Sequence, residues 1–152
     1  SFALSDSIRN FVVNMIQADF SIALALFLLR TVTGIIFFFQ GYDKIFNIKI
    51  KNVVSTFQEP IDKTYIPNSL LKPFAWITSG AELIGGLLLI FGLMIDLSLL
   101  ILSINMLLVA IAFSNIKAMW DTQYYFPRFI FLLLLMLLPS EWDQWKLDAF
   151  LK

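Results

Sequence analysis

The apolar residues of this chain fall into four long runs separated by shorter polar segments. The runs cover residues 20–42, 74–95, 97–116 and 122–139. A helix needs about 20 apolar residues to cross the hydrocarbon layer, and about 17 is the lower limit. The pattern therefore predicts an all-α fold, in which residues 20–139 form a four-helix transmembrane bundle.

A mixed apolar and polar pattern precedes the first run. Ile8, Phe11, Met15 and neighbouring apolar residues recur at helical spacing, while charged and amide side chains occupy the remaining positions. Such a pattern is typical of a helix that lies in the membrane surface, so residues 1–19 are predicted to form an N-terminal interfacial amphipathic helix. The alternative is that the same apolar face packs on a partner subunit.

Proline, charged residues and tryptophans indicate the structure of the segments between and after the spans. A polar, basic segment after Tyr42 keeps a helical apolar stripe until Pro60, which predicts a second interfacial helix and then a loop. Asp96 marks a tight turn that makes the second and third spans an antiparallel hairpin. Residues 140–152 form a tail whose two tryptophans suit the headgroup layer, so the tail is expected to be interfacial.

Composition supports a membrane location. The chain is 59% hydrophobic and 14% charged, whereas soluble domains carry about 25% charged residues. Net charge is zero, so nothing in the sequence indicates a nucleic-acid partner. Histidine and cysteine are both absent, which removes disulfides, thiol relays and Cys or His metal sites. No metal site is expected, and redox chemistry would need a bound small molecule or a partner subunit.

The distribution of basic residues predicts the orientation. Seven basic residues fall on the side of the first and third loops, against three on the side of the termini. The positive-inside rule then makes loops 43–73 and 117–121 cytoplasmic and places both termini outside. The expected location is the inner membrane of a bacterium.

Four polar residues inside the runs are the candidate functional residues: Arg30, Glu82, Asn105 and Arg128. A charge at the bilayer centre costs about 3 kcal/mol on insertion scales, so such residues usually face the bundle interior and pair. Counted from the loop side at the helical rise, they lie about 18, 12, 16 and 9 Å deep. The sequence therefore predicts one polar intramembrane cluster in which Arg30 meets Glu82 and Arg128 also reaches Glu82.

Small residues share faces with these polar positions. Gly34 and Gly41 follow Arg30 on one stripe of the first span, and a second set accompanies Glu82. Small side chains let helix backbones approach closely in membranes. The helix-packing positions predicted in this way are Gly34, Gly41, Ala81, Gly85, Gly86 and Gly92.

The polar cluster has two interpretations. It fixes helix register without any further role, as buried polar groups do in some assemblies. Alternatively, it lines a pocket whose arginine binds a quinone carbonyl or a lipid phosphate. Asp43, beside Lys44 at the membrane edge, is expected to be a solvated charge at a helix end.

Several of these residues, taken in order, resemble the DoxX family of small membrane proteins. The resemblance runs from about Leu28 to the end of the chain and rests on Arg30, Gly34, Phe37, Gly41 and Lys44, on Pro73, on residues 81–86 with Gly92, on Asn105 and Met106, and on residues 147–151. It implies a four-helix membrane bundle, and Arg30, Glu82 and Asn105 match the family's intramembrane polar positions. The basic first loop and residues 121–128 depart from the family pattern.

What the resemblance implies for function is broad. Family members include a subunit of a thiosulfate to quinone oxidoreductase and membrane components of redox or oxidative-stress assemblies. No catalytic residue can be transferred to this chain. The first hypothesis is a non-catalytic subunit of a larger, redox-linked membrane complex, in contact with lipid and with other membrane subunits, and with quinone as the candidate cofactor. The alternatives are a self-contained quinone-reactive oxidoreductase and a small transporter or channel.

Overall fold

The computed structural model describes residues 2–61, 67–116 and 122–151. Every regular element in these ranges is helical. The α-helices are α1 (Phe2–Tyr42), α2 (Ile50–Ile61), α3 (Leu71–Phe91), α4 (Ile95–Ile116), α5 (Thr122–Leu137) and α6 (Leu147–Phe150), with a π-helical turn at Asp43–Asn47 and short 3-10 turns at Asn68–Leu70 and Ser140–Trp142. The predicted cytoplasmic loop 117–121 and part of loop 43–73 lie outside the described residues.

Helix α1 is continuous where the sequence predicted two helices. It runs for 41 residues from Phe2 to Tyr42, about 60 Å at the helical rise and twice the thickness of the hydrocarbon layer. The helix has no break at the predicted boundary between residues 17 and 20. Neither proline nor glycine occurs before Gly34, so nothing in the backbone chemistry interrupts the helix there.

Among the residues that the structure describes, three helical segments are long and apolar enough to cross a membrane: Met15–Asn47, Asn68–Phe91 and Ile95–Ala112. Many of their large apolar side chains are exposed, for example Ile77 and Leu107. Lipid accepts such a surface, whereas water does not. Helix α5 is shorter, with 16 residues and Pro127 inside it, and spans about 24 Å. It packs against α1 and α4.

The contact between α1 and α3 is made by glycines. A Cβ atom on Gly34 would lie 2.8 Å from Gly86 O, and one on Gly41 would lie 2.5 Å from Leu83 N. The two backbones therefore touch, which only residues without a side chain permit. These contacts also set the antiparallel register of α1 and α3. Gly41 lies beside Ser79, and Gly34, seven residues earlier in α1, lies beside Gly86, seven residues later in α3.

A three-residue turn joins α3 to α4. Gly92 ends α3 in the left-handed conformation, with φ of 64°, and its N–H donates to the carbonyls of Leu88 and Leu89. The turn thus comes before Asp96, which lies in the first turn of α4 and does not form the connection as predicted. Further along the hairpin, Ser98 Oγ donates to Gly85 O over 2.7 Å.

The tail folds back onto this turn. Asp148 accepts hydrogen bonds from the backbone N–H groups of Met94 and Ile95, at 3.0 and 3.2 Å. Its own N–H donates to Gly92 O. A carboxylate at a helix N-terminus satisfies unpaired N–H groups and suits the helix dipole. The Trp145 ring packs edge-on against Phe20 and Phe27, so the tail also contacts α1.

Candidate functional site

Arg30 does not pair with Glu82. Its Nε donates to Asp143 Oδ2 over 2.6 Å, and its Nη atoms donate to the carbonyls of Leu89, Ile90 and Trp145. Arg30 is fully buried and Asp143 nearly so. The guanidinium therefore joins the tail to the C-terminal end of α3, where a cation is favourable. The expected Arg30 to Glu82 pair was wrong.

The register of the glycine contact explains this outcome. Pairing Gly41 with Ser79 and Gly34 with Gly86 brings Arg30 to Gly92, where its Cζ would lie 3.0 Å from a Cβ on that glycine. Gly92 is ten residues from Glu82, or about 15 Å along the helix. Depths counted from presumed membrane boundaries could not detect this offset, because they carry no information on how two helices slide against each other.

Glu82 lies in a second polar cluster, nearer the π-helical turn. Its side chain is completely buried. Lys44 Nζ donates to Glu82 Oε2 over 2.6 Å, Arg128 Nη1 lies 3.9 Å from Glu82 Oε1, and Asn105 Nδ2 donates to the same oxygen at 3.5 Å. The structure thus brings Glu82, Asn105 and Arg128 together and separates Arg30 from them.

Two members of this second cluster, Lys44 and Gln40, were not among the predicted site residues. Gln40 Oε1 accepts a hydrogen bond from Arg128 Nη1, and the Arg128 guanidinium lies 5.9 Å from the centre of the Phe37 ring. Lys44 follows the span, where a lysine usually extends toward water. Helix periodicity offers a signal for Gln40, since it lies on the same face as Phe37.

The π-helical turn Asp43–Asn47 brings Lys44 to Glu82. Asn47 Nδ2 donates to Asp43 Oδ1 at 2.5 Å, and Ile48 N donates to Asp43 O. Lys49 then adopts a left-handed backbone, with φ of 67°. These residues redirect the chain so that α2 packs against α3. Asp43 is exposed, and its carboxylate is held by Asn47.

A cavity of about 450 Å³ opens beside this cluster. Its polar lining residues are Gln40, Asp43, Lys44, Thr78, Glu82 and Arg128. The remaining wall is largely apolar and comes from α2, α3 and α4, with Val53, Val54, Leu71, Phe74, Leu108 and Val109 among its residues. An apolar cavity with a few convergent polar groups is the usual form of a small-molecule site.

The cavity combines hydrogen-bond donors with a wall that accepts hydrocarbon. The Lys44 ammonium and the Arg128 guanidinium are donors that suit carbonyl, carboxylate or phosphate oxygens. Within the described ranges, no group of three or more Asp, Glu, His or Cys side chains is placed to hold a metal ion. The arrangement suits an amphiphile whose polar head lies at Glu82 and whose tail follows the apolar wall.

Residues 25–115 match the family model of DoxX. The chain belongs to the DoxX family. Together with the three long apolar helices, this membership makes it an integral membrane protein in contact with lipid. No curated protein and no solved structure matches the chain.

The DoxX match ends before α5 and the tail. Arg30, Lys44, Glu82 and Asn105 lie inside the matched region, whereas Arg128 and Asp143 lie beyond it. Each polar cluster of this DoxX protein is therefore completed by a side chain from the last 37 residues, outside the match.

Proposed function

We propose that this DoxX protein is a non-catalytic subunit of a larger, redox-linked membrane complex, and that its cavity holds the head group of a quinone or lipid. The observation that carries the proposal is the cavity of about 450 Å³, which is lined by the clustered residues Lys44, Glu82 and Arg128 and by a largely apolar remainder. A buried ion pair alone would fix helix register without leaving such a space beside it.

The charges of the cluster support a bound polar group. Glu82 is completely buried and Arg128 nearly so, and buried charges are stabilised only by good polar partners. A head group with accepting oxygens would add partners for the two cations. Its hydrocarbon tail would contact residues such as Phe74 and Val109. Quinone is the candidate cofactor for this site.

The lack of cysteine and histidine side chains supports a role as a subunit. With no cysteine or histidine in 152 residues, the chain lacks the usual ligands for haem, iron–sulfur and copper centres. In a redox assembly, electrons would then pass through groups held by other subunits. The chain's own contribution would be to position the amphiphile.

The proposed membrane arrangement has four crossings. Helix α5 would be the fourth, with its 16 residues supplemented by the tail that packs at the α3–α4 turn. The N-terminal part of α1, up to residue 19, would belong to the amphipathic interfacial element proposed for residues 1–19. Loops 43–73 and 117–121 would face the cytoplasm of a bacterium, with the termini outside.

Purification in a mild detergent tests the proposal. Native mass spectrometry of the isolated protein should detect a retained quinone or lipid together with a co-purifying membrane subunit, and added short-tail quinone or lipid should raise the thermal unfolding temperature. Recovery of the bare chain, with no stabilisation by either compound, would contradict the proposal.

A quinone-reactive enzyme is the second candidate. The observation that favours it is the carboxylate of Glu82 beside two cations at the end of the cavity, since a cation can polarise a carbonyl while a carboxylate handles the proton. Glu82→Gln should then abolish quinone turnover in protein that is still folded at the assay temperature, as shown by its unfolding transition. Unchanged turnover in this variant would eliminate the enzyme hypothesis.

The transporter hypothesis has weaker support. The buried core cluster consists of Phe37, Leu89, Leu99, Leu102, Met106 and Leu132. By the helix register, this cluster lies between the Arg30 and Glu82 clusters. A conducting path would need polar or wet surroundings at this level. Ion flux in liposomes that depends on Glu82 would restore the hypothesis.

A further inference from the structure

The geometry points to Lys44 as the residue that binds the head-group oxygen, with Arg128 as a positioning residue that holds Glu82. This assignment rests on the proposed function and specifies which cation contacts the ligand. It concerns a residue that the sequence placed at the solvated edge of the membrane. Three differences between the two cations support it.

The first difference is exposure. The Lys44 side chain is 29% exposed, whereas those of Arg128 and Glu82 are 10% and 1% exposed. Both cations line the cavity. The Lys44 side chain is therefore the more accessible of the two cations, while the arginine is more deeply buried.

The second difference is how the surrounding side chains hold each cation. Lys44 makes one hydrogen bond to the described residues, to Glu82. An ammonium has three N–H donors, so two remain for an accepting oxygen. Arg128 donates to Gln40 and also lies over the Phe37 ring. Those contacts hold the guanidinium against α1, beside Glu82.

The third difference is the backbone. Lys44 belongs to the π-helical turn, just before the left-handed residue Lys49. π-helical turns are rare and often occur at functional sites. Arg128 lies in the body of α5. The four-carbon stem of Lys44 is flexible. The ammonium can adjust to a bound head group while α1 and α3 keep their glycine contact.

The ligand chemistry that follows is an oxygen acceptor on an amphiphile. A quinone carbonyl and a lipid phosphate both present such an oxygen, and an ammonium binds either through charge-assisted hydrogen bonds. Glu82 would remain as the counter-charge of Lys44 and Arg128. Lys44 would therefore bind the ligand oxygen while keeping its hydrogen bond to Glu82.

The first experiment compares binding by the wild-type chain and two lysine variants. The probes are a quinone with a ten-carbon tail and, separately, phosphatidylglycerol against phosphatidylcholine in nanodiscs. Lys44→Gln should weaken binding of the preferred probe by about tenfold or more, and Lys44→Arg should retain most of it. Lys51→Gln is the matched control, because Lys51 is an exposed lysine of α2 that does not line the cavity.

The second experiment uses the wild-type protein, so folding of a variant is not in question. Acetylation of Lys44 by an amine-reactive reagent, measured by mass spectrometry, should slow several-fold in the presence of the bound probe, while acetylation of Lys51 should not change. Probe binding with unchanged Lys44 reactivity, or equal affinity in Lys44→Gln, would overturn the assignment and leave the proposed function standing. Failure of both probes to bind wild type would overturn both.

Discussion

The Arg30 guanidinium and the Asp143 carboxylate are 2.6 Å apart, although 113 residues separate them in the chain. This pair connects the middle of α1 to the tail, and the same guanidinium binds the last carbonyls of α3. The tail is therefore a structural part of the helix assembly. The second ionic cluster consists of Glu82, Lys44 and Arg128, and it lines a cavity.

The two-cluster arrangement predicts which charges are energetically coupled. In double-mutant cycles with Arg30→Gln, Asp143→Asn should show a coupling energy of about 1–3 kcal/mol, because the side chains share a buried bond. Glu82→Gln should show less than about 0.5 kcal/mol with Arg30→Gln, since separated sites are additive. Reversible unfolding in detergent or bicelles would supply the free energies.

Breaking the Arg30 pair should also be costly by itself. Asp143→Asn leaves a buried guanidinium without its carboxylate, a change that typically destabilises by about 3–5 kcal/mol. Asp96→Asn is the control, because Asp96 is an exposed acid at the start of α4. Equal unfolding temperatures for the two variants would contradict the buried pair.

The glycine contact predicts a difference between two glycines of α3. A methyl group on Gly86 would clash with the backbone of Phe38, whereas one on Gly80 would meet nothing within 4 Å. Gly86→Ala should therefore destabilise by about 1–3 kcal/mol. Gly80→Ala should be neutral or stabilising by about 1 kcal/mol, as expected for alanine in a helix. Thermal unfolding of the two variants measures the difference.

The Asp148 cap predicts a moderate loss of stability when it is removed. Asp148→Ala leaves the N–H groups of Met94 and Ile95 without their carboxylate, which should cost about 0.5–2 kcal/mol. Glu141→Ala changes an exposed tail carboxylate with no such contact to α4 and should have little effect. Hydrogen exchange at the start of α4 should accelerate only in the first variant.

The proposed orientation predicts that α2 and the tail are labelled from opposite sides of the membrane. The chain has no cysteine, so single-cysteine variants report without background. A cysteine replacing Lys51 on α2 should react with an impermeant maleimide only after the cells are opened. One replacing Gln144 in the tail should react in intact spheroplasts. The reverse pattern would invert the topology.

Sequence reasoning identified the class of protein correctly. The DoxX resemblance is confirmed by the family match over residues 25–115, and the membrane location is supported by three long apolar helices. Both depend on composition and residue order, which a sequence displays directly. The all-α class follows from the same hydropathy pattern and is confirmed within the described residues.

The pairing of charges could not be obtained in the same way. Gly34 and Gly86 reveal that two helices approach closely, but the register appears only when their contact is seen. The position of α1 along α3 decides which carboxylate Arg30 meets. A shift of a few helical turns separates a pair with Glu82 from the observed pair with Asp143. Lys44 was not expected to meet Glu82, because a lysine at a helix end usually points to water. In the structure it lies in the π-helical turn and donates to Glu82.

The cavity beside Lys44 and Glu82 is proposed to hold the head group of a membrane amphiphile. A density map of the protein in lipid nanodiscs, at a resolution that shows ordered lipids around the helices, would test this proposal. We expect head-group density within hydrogen-bond distance of Lys44 Nζ, with tail density along Phe74 and Val109. A map that resolves the surrounding lipids but shows the cavity collapsed or containing only water would contradict it.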